Sequence, residues 1–149
     1  MAMQPEMLRK MSHEMRKELV SNILPFWMRY RDGVNGGFFG RVRNDGSFDS
    51  TAPKGIVQHS RLMWVYSRAS RSLGERALRD TSEEAFRFIV DHFLDARRGG
   101  FYWTVDCTGK PRDELKRVYG QAFAMYALAE HARAGGSGAG ACHGDLPPA

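Results

Sequence analysis

The chain has 149 residues, the size of one ordinary domain, and its 42% hydrophobic and 11% aromatic content excludes an intrinsically disordered protein. Its net charge of +5 comes from basic residues spread along the whole chain, so the sequence does not indicate a nucleic-acid-binding protein and we expect no nucleic-acid partner. Its two cysteines, Cys107 and Cys142, are too few and too far apart for a disulfide framework. No further ligand residues lie near them at metal-binding spacing, which excludes a zinc module.

A first helix is predicted by apolar residues that recur at steps of three or four, namely Leu8, Met11, Met15, Leu19, Ile23 and Trp27. Pro25 falls inside this pattern, so the helix should kink or end there. The N-terminal residues 1–17 are dotted with charges and lack the apolar region of a signal peptide.

A short β-hairpin is predicted next, over Gly36–Gly46, because apolar residues near a strand period are followed by an Asp-Gly pair. The second helix then runs from about Gly55 to Ser72. It is apolar over much of its circumference, which is typical of an inner helix.

The third helix is predicted from about Glu75 to Leu94, and a second hairpin from Gly99 to Gly109. The fourth helix should start after Asp113 as its N-cap and continue to about Ala134. We expect the four helices to form two antiparallel hairpins, with the second and fourth helices more buried than the first and third.

These segments form an internal repeat. Gly37 and Gly100 are 63 positions apart, and Met63-Trp64 in the second helix answers Met125-Tyr126 in the fourth at an offset of 62. A repeat of this kind cannot bury its apolar face alone and needs neighbours stacked beside it.

Residues 135–149 are rich in glycine and proline, and we interpret them as a flexible tail after a domain that spans residues 1–134. Their G-x-G spacing lacks the strand and helix that a phosphate-binding loop requires. The longest apolar run, Ala122 to Ala129, is too short to span a membrane. We therefore expect a cytoplasmic protein without a membrane partner.

No metal site and no cofactor are indicated. The five histidines form no i,i+4 pair, and the His13-Glu14 start of a zinc-protease pattern has Lys17 where the second ligand would be. Polar groups suited to sugar hydroxyls do occur at the starts of the second and fourth helices, where Arg61 and Tyr119 lie. The alternative is that both are core residues whose polar ends meet backbone partners.

A family resemblance is carried by strings that follow each other in order: Leu24-Pro25-Phe26-Trp27, Asn35-Gly36-Gly37-Phe38-Phe39-Gly40, Lys54-Gly55 with Ser60-Arg61-Leu62-Met63-Trp64, Gly99 to Asp106, and Val118 to Leu128. Over about Leu8 to Ala134 the chain resembles the N-terminal part of the N-acylglucosamine 2-epimerase and cellobiose 2-epimerase family. The resemblance implies an all-α fold with short β-hairpins, a partial α/α barrel made of the first four helices of a twelve-helix toroid.

The resemblance also implies a sugar substrate and a reaction. The implied chemistry is aldose C2 epimerisation, or aldose–ketose isomerisation, through ring opening, proton abstraction at C2 and an enediolate. In the family, the residues matched by Arg61 and Tyr119 contact the sugar. Trp64 and His59, on the helix of Arg61, complete the predicted substrate-binding set. The subgroup stays open between N-acylglucosamine, cellobiose and mannose-type substrates.

The family's catalytic histidines and carboxylate lie in later helices, so we assign no catalytic residue and leave open whether this chain is an enzyme. It looks like a truncated, fragmentary or frame-shifted copy of an epimerase gene. The alternative is a non-catalytic helical module that binds a sugar or a protein. An unfinished barrel should also expose an apolar edge and self-associate through it, with contributions from Phe86, Phe93, Met125 and Leu128.

Overall fold

The computed structural model describes residues 4–137, which fall into two compact units divided after Tyr30. The first unit is helical: α1 (Pro5–Glu18), a π-helical turn (Leu19–Ile23) and α2 (Leu24–Met28). The helix predicted from the apolar pattern is therefore confirmed. Pro25 does not end the helix, contrary to expectation: it lies in the first turn of α2, directly after the π-helical turn, where a proline is tolerated.

The second unit contains three long helices and a small sheet. In chain order its elements are β1 (Lys54–Gly55), α3 (Ile56–Leu73), α4 (Arg76–Phe88), a π-helical turn (Ile89–Phe93), β2 (Thr104–Val105), β3 (Pro111–Asp113) and α5 (Val118–Arg133). The second and third predicted helices correspond to α3 and to α4 with its π-helical turn.

The predicted start of the fourth helix is wrong. Asp113 ends strand β3, and its carboxylate accepts a hydrogen bond from the Leu115 amide at 3.1 Å within the connecting turn. Helix α5 begins five residues later, at Val118, and its N-cap is Arg117 without a side-chain cap. An Asp binds nearby backbone amides in a turn as readily as in a helix cap, so the residue type alone did not distinguish the two.

Helix α3 lies between α4 and α5 and forms the centre of the second unit. Its own pattern explains this position, because apolar and small residues cover most of its circumference. The residues buried on it are Ile56, His59, Ser60, Leu62, Met63, Tyr66, Ser67 and Ala69. It ends at Gly74, whose φ of 73° is the left-handed conformation that closes a helix and that glycine adopts without steric cost.

The contacts between helices give their directions. From the start of α3 to its end, its residues meet α5 in rising order: Trp64 stacks on Tyr126, and Ser67 lies 3.3 Å from the His131 ring. Helices α3 and α5 are therefore parallel. Arg79 bonds Gly135 beyond the end of α5 while later residues of α4 meet His131, so α4 and α5 are antiparallel, as predicted for the second hairpin.

The predicted hairpins are present in reduced form. In the first, Val42 bridges Phe48 across the Asp45-Gly46 turn. In the second, β2 pairs antiparallel with β3. Strand β1 also pairs with β2, which gives the sheet order β1-β2-β3. The sheet thus ties the loop before α3 to the loop before α5.

The predicted order of helix burial is partly confirmed. Helix α1 has no buried residue, whereas α3 has eight. Helix α5 is no more buried than α4, so the prediction for the fourth helix is wrong. The reason is that α5 buries a single face, which consists of Gly120, Ala124, Ala127, Glu130 and His131.

The expected apolar edge is partly confirmed. Met125 is 64% exposed, but Phe93 is fully buried, so its assignment to the edge was wrong. Phe86 is half-buried because its ring stacks on His131, and Leu128 is half-buried as well.

The start of the predicted tail is folded back on the helices. Residues 135–137 bond to Arg79, His131 and Glu83, while residues 138–149 lie outside the described part of the chain. Within residues 4–137, no helix is long and apolar enough to cross a membrane.

Candidate functional site

The N-terminal ends of the parallel helices α3 and α5 lie side by side, and the sheet lies next to them. Gly120 makes this close approach feasible, because a Cβ at its position would be 3.0 Å from Ile56 Cγ2 and 3.2 Å from the Trp103 ring. The amide of Ile56 also donates to the Trp103 carbonyl at 3.2 Å. Side chains from two successive repeats are thereby brought to one end of the helix pair.

Two of the predicted substrate-binding residues, Arg61 and Tyr119, are exposed near these helix starts. Arg61 lies in the second turn of α3, and Tyr119, which is 60% exposed, lies in the first turn of α5. The alternative that both are core residues is therefore wrong. The Tyr119 ring packs edge-on against Phe123, with 4.8 Å between the ring centroids.

Aromatic surface continues from this point. Trp64 is half-buried and stacks on Tyr126 with 5.2 Å between centroids and 13° between ring planes. On the other side, the Arg117 guanidinium lies 5.0 Å above the Trp103 ring. Flat aromatic faces next to exposed cations suit a ligand that presents C–H groups and oxygens together.

His59 differs from the sequence expectation of direct sugar contact. It is fully buried, its Nε2 accepts a hydrogen bond from the Phe38 amide at 3.1 Å, and its Nδ1 donates to the Gly55 carbonyl at 3.0 Å. Burial, the largest effect, lowers the pKa of His59 to about 4, so the ring is neutral at pH 7. Both ring nitrogens are therefore used in hydrogen bonds to the backbone that stabilise the fold.

A buried ion pair, which the sequence reasoning missed, anchors the loop that leads to α3. The Lys54 ammonium lies 2.8 Å from the Asp32 carboxylate, and both side chains are almost completely buried. Lys54 also donates to the Gly36 carbonyl at 2.6 Å and lies over the Phe88 ring. We call Asp32 and Lys54 the first clamp.

The same arrangement recurs in the second repeat. The Lys116 ammonium lies 2.7 Å from the Asp95 carboxylate, which also accepts bonds from the Arg97 and Arg98 amides. We call Asp95 and Lys116 the second clamp. Asp32 and Asp95 are 63 positions apart, and Lys54 and Lys116 are 62 apart. The repeat offsets found in the sequence were therefore the signal that could have located both clamps.

The clamps keep their carboxylates ionised. Burial acts to raise the pKa of Asp32, but the Lys54 ammonium and the Asn35 and Val34 amides outweigh it, so the pKa lies below its usual value. In the second clamp the hydrogen bond from Lys116 is the largest effect and lowers the pKa of Asp95 to about 2.

A third polar cluster lies at the far end of the helices. His131 Nδ1 lies 2.8 Å from the Ser82 hydroxyl, its Nε2 faces the Glu83 carboxylate at 3.3 Å, and Phe86 stacks on the ring. Burial lowers the pKa of His131 against the opposing effect of Glu83. The ring is only 2% exposed, so this cluster joins α3, α4 and α5 and leaves no access for a substrate.

Among residues 4–137, no three His, Cys, Asp or Glu side chains are grouped so that they could hold a metal ion.

Comparison with known proteins identifies the fold. The model of the N-acylglucosamine 2-epimerase (GlcNAc 2-epimerase) family matches residues 37–146. The chain is 44% identical over 126 residues to a cellobiose 2-epimerase from Ruminococcus albus, and 41% identical over 127 residues to one from Bacteroides fragilis. These alignments include 85% of this chain and 32% of each relative.

Solved structures agree. A cellobiose 2-epimerase from Spirochaeta thermophila superposes with a TM-score of 0.83 at 38% identity, over 87% of this chain and 32% of that one. A D-mannose isomerase, at 22% identity and a TM-score of 0.71, shares the fold over 80% of this chain and 30% of its own. The chain thus spans about a third of the length of its relatives, and its fold is the corresponding part of an α/α barrel. The matched segment includes Lys54, Asp95 and Lys116 of the two clamps, but not Asp32. Because the family model matches most of its length, the chain belongs to the N-acylglucosamine 2-epimerase family.

Proposed function

We propose that this chain supplies part of the sugar-binding surface of an aldose 2-epimerase or aldose–ketose isomerase. The observation that carries the proposal is the exposure of Arg61 and Tyr119 near the starts of two parallel helices, in a chain of this family. A cellobiose-type disaccharide is the first substrate to test, because the relatives of highest identity described above are cellobiose 2-epimerases.

The chemistry of C2 epimerisation explains what these residues can contribute. Removal of the C2 proton creates an enediolate, whose negative charge needs donors or cations held in place. Arg61 is a permanent cation with several N–H donors. Helices α3 and α5 both begin without a side-chain cap, so the positive ends of their dipoles contribute to the electrostatic potential near Arg61 and Tyr119.

The acid–base step needs a different group. A base for the C2 proton must titrate near neutral pH and reach the substrate. Within residues 4–137, His59 is the histidine nearest to Arg61 in sequence, and it is buried with both nitrogens bonded to the backbone. We therefore assign His59 a positioning role: it holds the Gly37–Phe38 loop against α3. No catalytic residue is assigned to the chain.

The experiment measures sugar binding and C2 exchange separately. Cellobiose, N-acetylglucosamine and mannose are titrated into the purified chain and followed by NMR. Binding should be lost in Arg61→Ala and retained in Arg68→Ala, because Arg68 lies two turns further along the same helix. The same samples in deuterated water should show no exchange at C2. Equal sugar binding by the two variants would contradict the proposed site. Exchange at C2 above that of a boiled control would contradict the expectation that the chain carries no catalytic base.

The non-catalytic helical module remains the second candidate, and the exposed face of α5 favours it. Under this alternative, sugar binding is absent while a protein ligand binds. Cytoplasmic location and self-association through the apolar edge also stay predictions. Fractionation of the source cells tests the location, and sedimentation velocity tests the association.

A further inference from the structure

The indole ring of Trp103 is fixed where the starts of α3 and α5 meet. Its amide donates to the Asp113 carbonyl at 2.9 Å, and its carbonyl accepts the Ile56 amide at 3.2 Å. The edge of the ring covers Gly120, where a Cβ would lie 3.2 Å from it. Because β3, α3 and α5 all contact this residue, elements of both repeats set the position of the ring.

Arg117, the N-cap residue of α5, is oriented by this ring. Its guanidinium lies 5.0 Å above the indole, and one of its nitrogens lies 3.7 Å from the Asp113 carboxylate. The Arg117 side chain is 53% exposed, so the ion pair contributes direction more than stability. Stacking uses the face of a guanidinium, whereas its N–H donors lie at the edge and stay available to a ligand.

The parallel helices give the distance between Arg117 and Arg61. Trp64 stacks on Tyr126, so residues of α5 lie level with residues of α3 that are 62 positions earlier, and Arg61 lies level with Phe123. Arg117 precedes Phe123 by six residues, which corresponds to about 9 Å along the helix axes at the usual helical rise. A single pyranose ring is shorter than this separation, whereas a disaccharide is about as long.

The surroundings of Arg117 favour a neutral ligand that carries hydroxyl groups. Neighbouring hydroxyl oxygens of a sugar ring can accept hydrogen bonds from the edge of one guanidinium. The Asp113 carboxylate beside it disfavours a phosphate or another anion at the same place. The indole edge next to the guanidinium adds apolar surface for the C–H groups of a sugar.

We infer that Arg117, held in place by Trp103, is a substrate-binding residue that contacts the second ring of a disaccharide and gives the site its preference for disaccharides over monosaccharides. The inference rests on the proposed function, in which Arg61 lies at the reacting ring. Trp103 is a positioning residue, because it acts through Arg117.

The test compares sugars of different length on the full chain. Cellobiose, glucose and mannose are titrated into the labelled chain and followed by NMR. Arg117→Gln should weaken the binding of cellobiose about tenfold and leave that of the two monosaccharides unchanged within about twofold, since one charged hydrogen-bond donor is lost only at the second ring. Arg112→Gln removes the same charge from an exposed position on β3 and is the matched control, which should change neither.

A second pair of variants tests the role of Trp103. Trp103→Phe keeps an aromatic face under the guanidinium and should retain most of the preference for cellobiose. Trp103→Leu removes that face and should lower cellobiose binding as Arg117→Gln does, with no further loss when the two substitutions are combined. The ratio of cellobiose to glucose affinity is the readout, because a purely structural loss would weaken the binding of both sugars. Circular dichroism checks that each variant is folded.

Arg61→Ala separates this inference from the proposed function. If Arg61→Ala abolishes the binding of all three sugars while Arg117→Gln changes cellobiose and glucose affinity equally, or changes neither, the inference is wrong and the proposed function stands. An effect of Arg112→Gln as large as that of Arg117→Gln also overturns the inference, because it would reflect overall charge. If the parent chain binds none of the sugars, the proposed function fails and the inference fails with it.

Discussion

His59 and Gln121 hold equivalent places in the two repeats, and each accepts a hydrogen bond from the backbone amide of the phenylalanine that follows a Gly-Gly pair. His59 receives the Phe38 amide at 3.1 Å, and Gln121 receives the Phe101 amide at 2.8 Å. Gln121 also donates to the Phe101 carbonyl at 2.7 Å. Two different side chains thus solve one problem, which is to satisfy the backbone of a loop that is packed against an inner helix.

The first prediction concerns acid stability. The pKa of His59 is about 4 in the folded chain and near 6.5 when unfolded, so the unfolded state binds the extra proton. Its contribution to the free energy of unfolding is therefore complete above pH 6.5 and is lost as the pH falls, by about 3 kcal/mol at pH 4. His59→Gln, which copies the second repeat, should remove this part of the pH dependence.

Urea unfolding between pH 7.5 and 4 measures the effect. The variant should match the parent chain within about 1 kcal/mol at pH 7.5, because Gln can accept the same hydrogen bond. His131 also favours the neutral form and loses stability in the same direction, so the difference between variant and parent isolates His59. An unchanged acid slope in His59→Gln is the contradicting result.

The second prediction compares the two clamps. Lys54→Met leaves the Asp32 carboxylate buried without its partner, which should cost about 3–5 kcal/mol in unfolding free energy. Lys116→Met should cost clearly less, because the Lys116 side chain is 28% exposed and water can replace it. Chemical denaturation of both variants checks the order, and equal losses would show that burial does not decide the strength of the clamps.

The third prediction separates crowding from backbone strain in the glycine turns. Gly37 and Gly99 have φ values of 66° and 71°, which a residue with a Cβ adopts at a cost of about 1 kcal/mol. A Cβ at Gly37 would also lie 2.8 Å from the His59 and Phe88 rings, whereas nothing lies within 4 Å at Gly99. Gly37→Ala should therefore be more destabilising than Gly99→Ala in thermal unfolding. Similar melting temperatures would mean that the rings give way freely.

The fourth prediction concerns the stacked pair Trp64 and Tyr126. Tyr126→Ala removes one face of the stack and enlarges the exposed surface of Trp64. The tryptophan emission should shift to longer wavelength, while the stability should change by no more than about 1–2 kcal/mol because Tyr126 is 53% exposed. Val34→Ala, at a residue that is 91% exposed, serves as the control and should change neither.

The helices and the repeat could be predicted from the sequence because their signals are local or periodic. Leu78, Ala85 and Phe88 in α4, for example, keep the helical period and are buried. The offset between Gly37 and Gly100 likewise needed only the order of residues. Apolar residues that recur with the helical period form one face of the helix, and that face is buried. These features can therefore be predicted without knowing which distant residues they contact.

The clamps and the role of His59 depend on distant partners and were not predicted. Lys54 and Asp32 are charged residues 22 positions apart, and most such residues lie at the surface. His59 stands next to Arg61 on one helix, but a step of two residues turns the side chains to different sides, one buried and one exposed. The sequence position alone did not reveal which side faces the backbone of the Gly37–Phe38 loop.

The two clamps act over short stretches of chain, each within its own repeat. The loop between Phe38 and Lys54 carries the small Val42–Phe48 hairpin, whereas the loop between Phe101 and Lys116 carries β2 and β3. Each loop begins at a phenylalanine whose amide is hydrogen-bonded and ends at the lysine of a clamp, although the two loops differ in secondary structure. Insertions or substitutions within these two loops can therefore change the surface next to the starts of α3 and α5 without moving Arg61 or Tyr119. In evolution, the contents of each loop can then diverge while the helices that carry Arg61 and Tyr119 keep their positions.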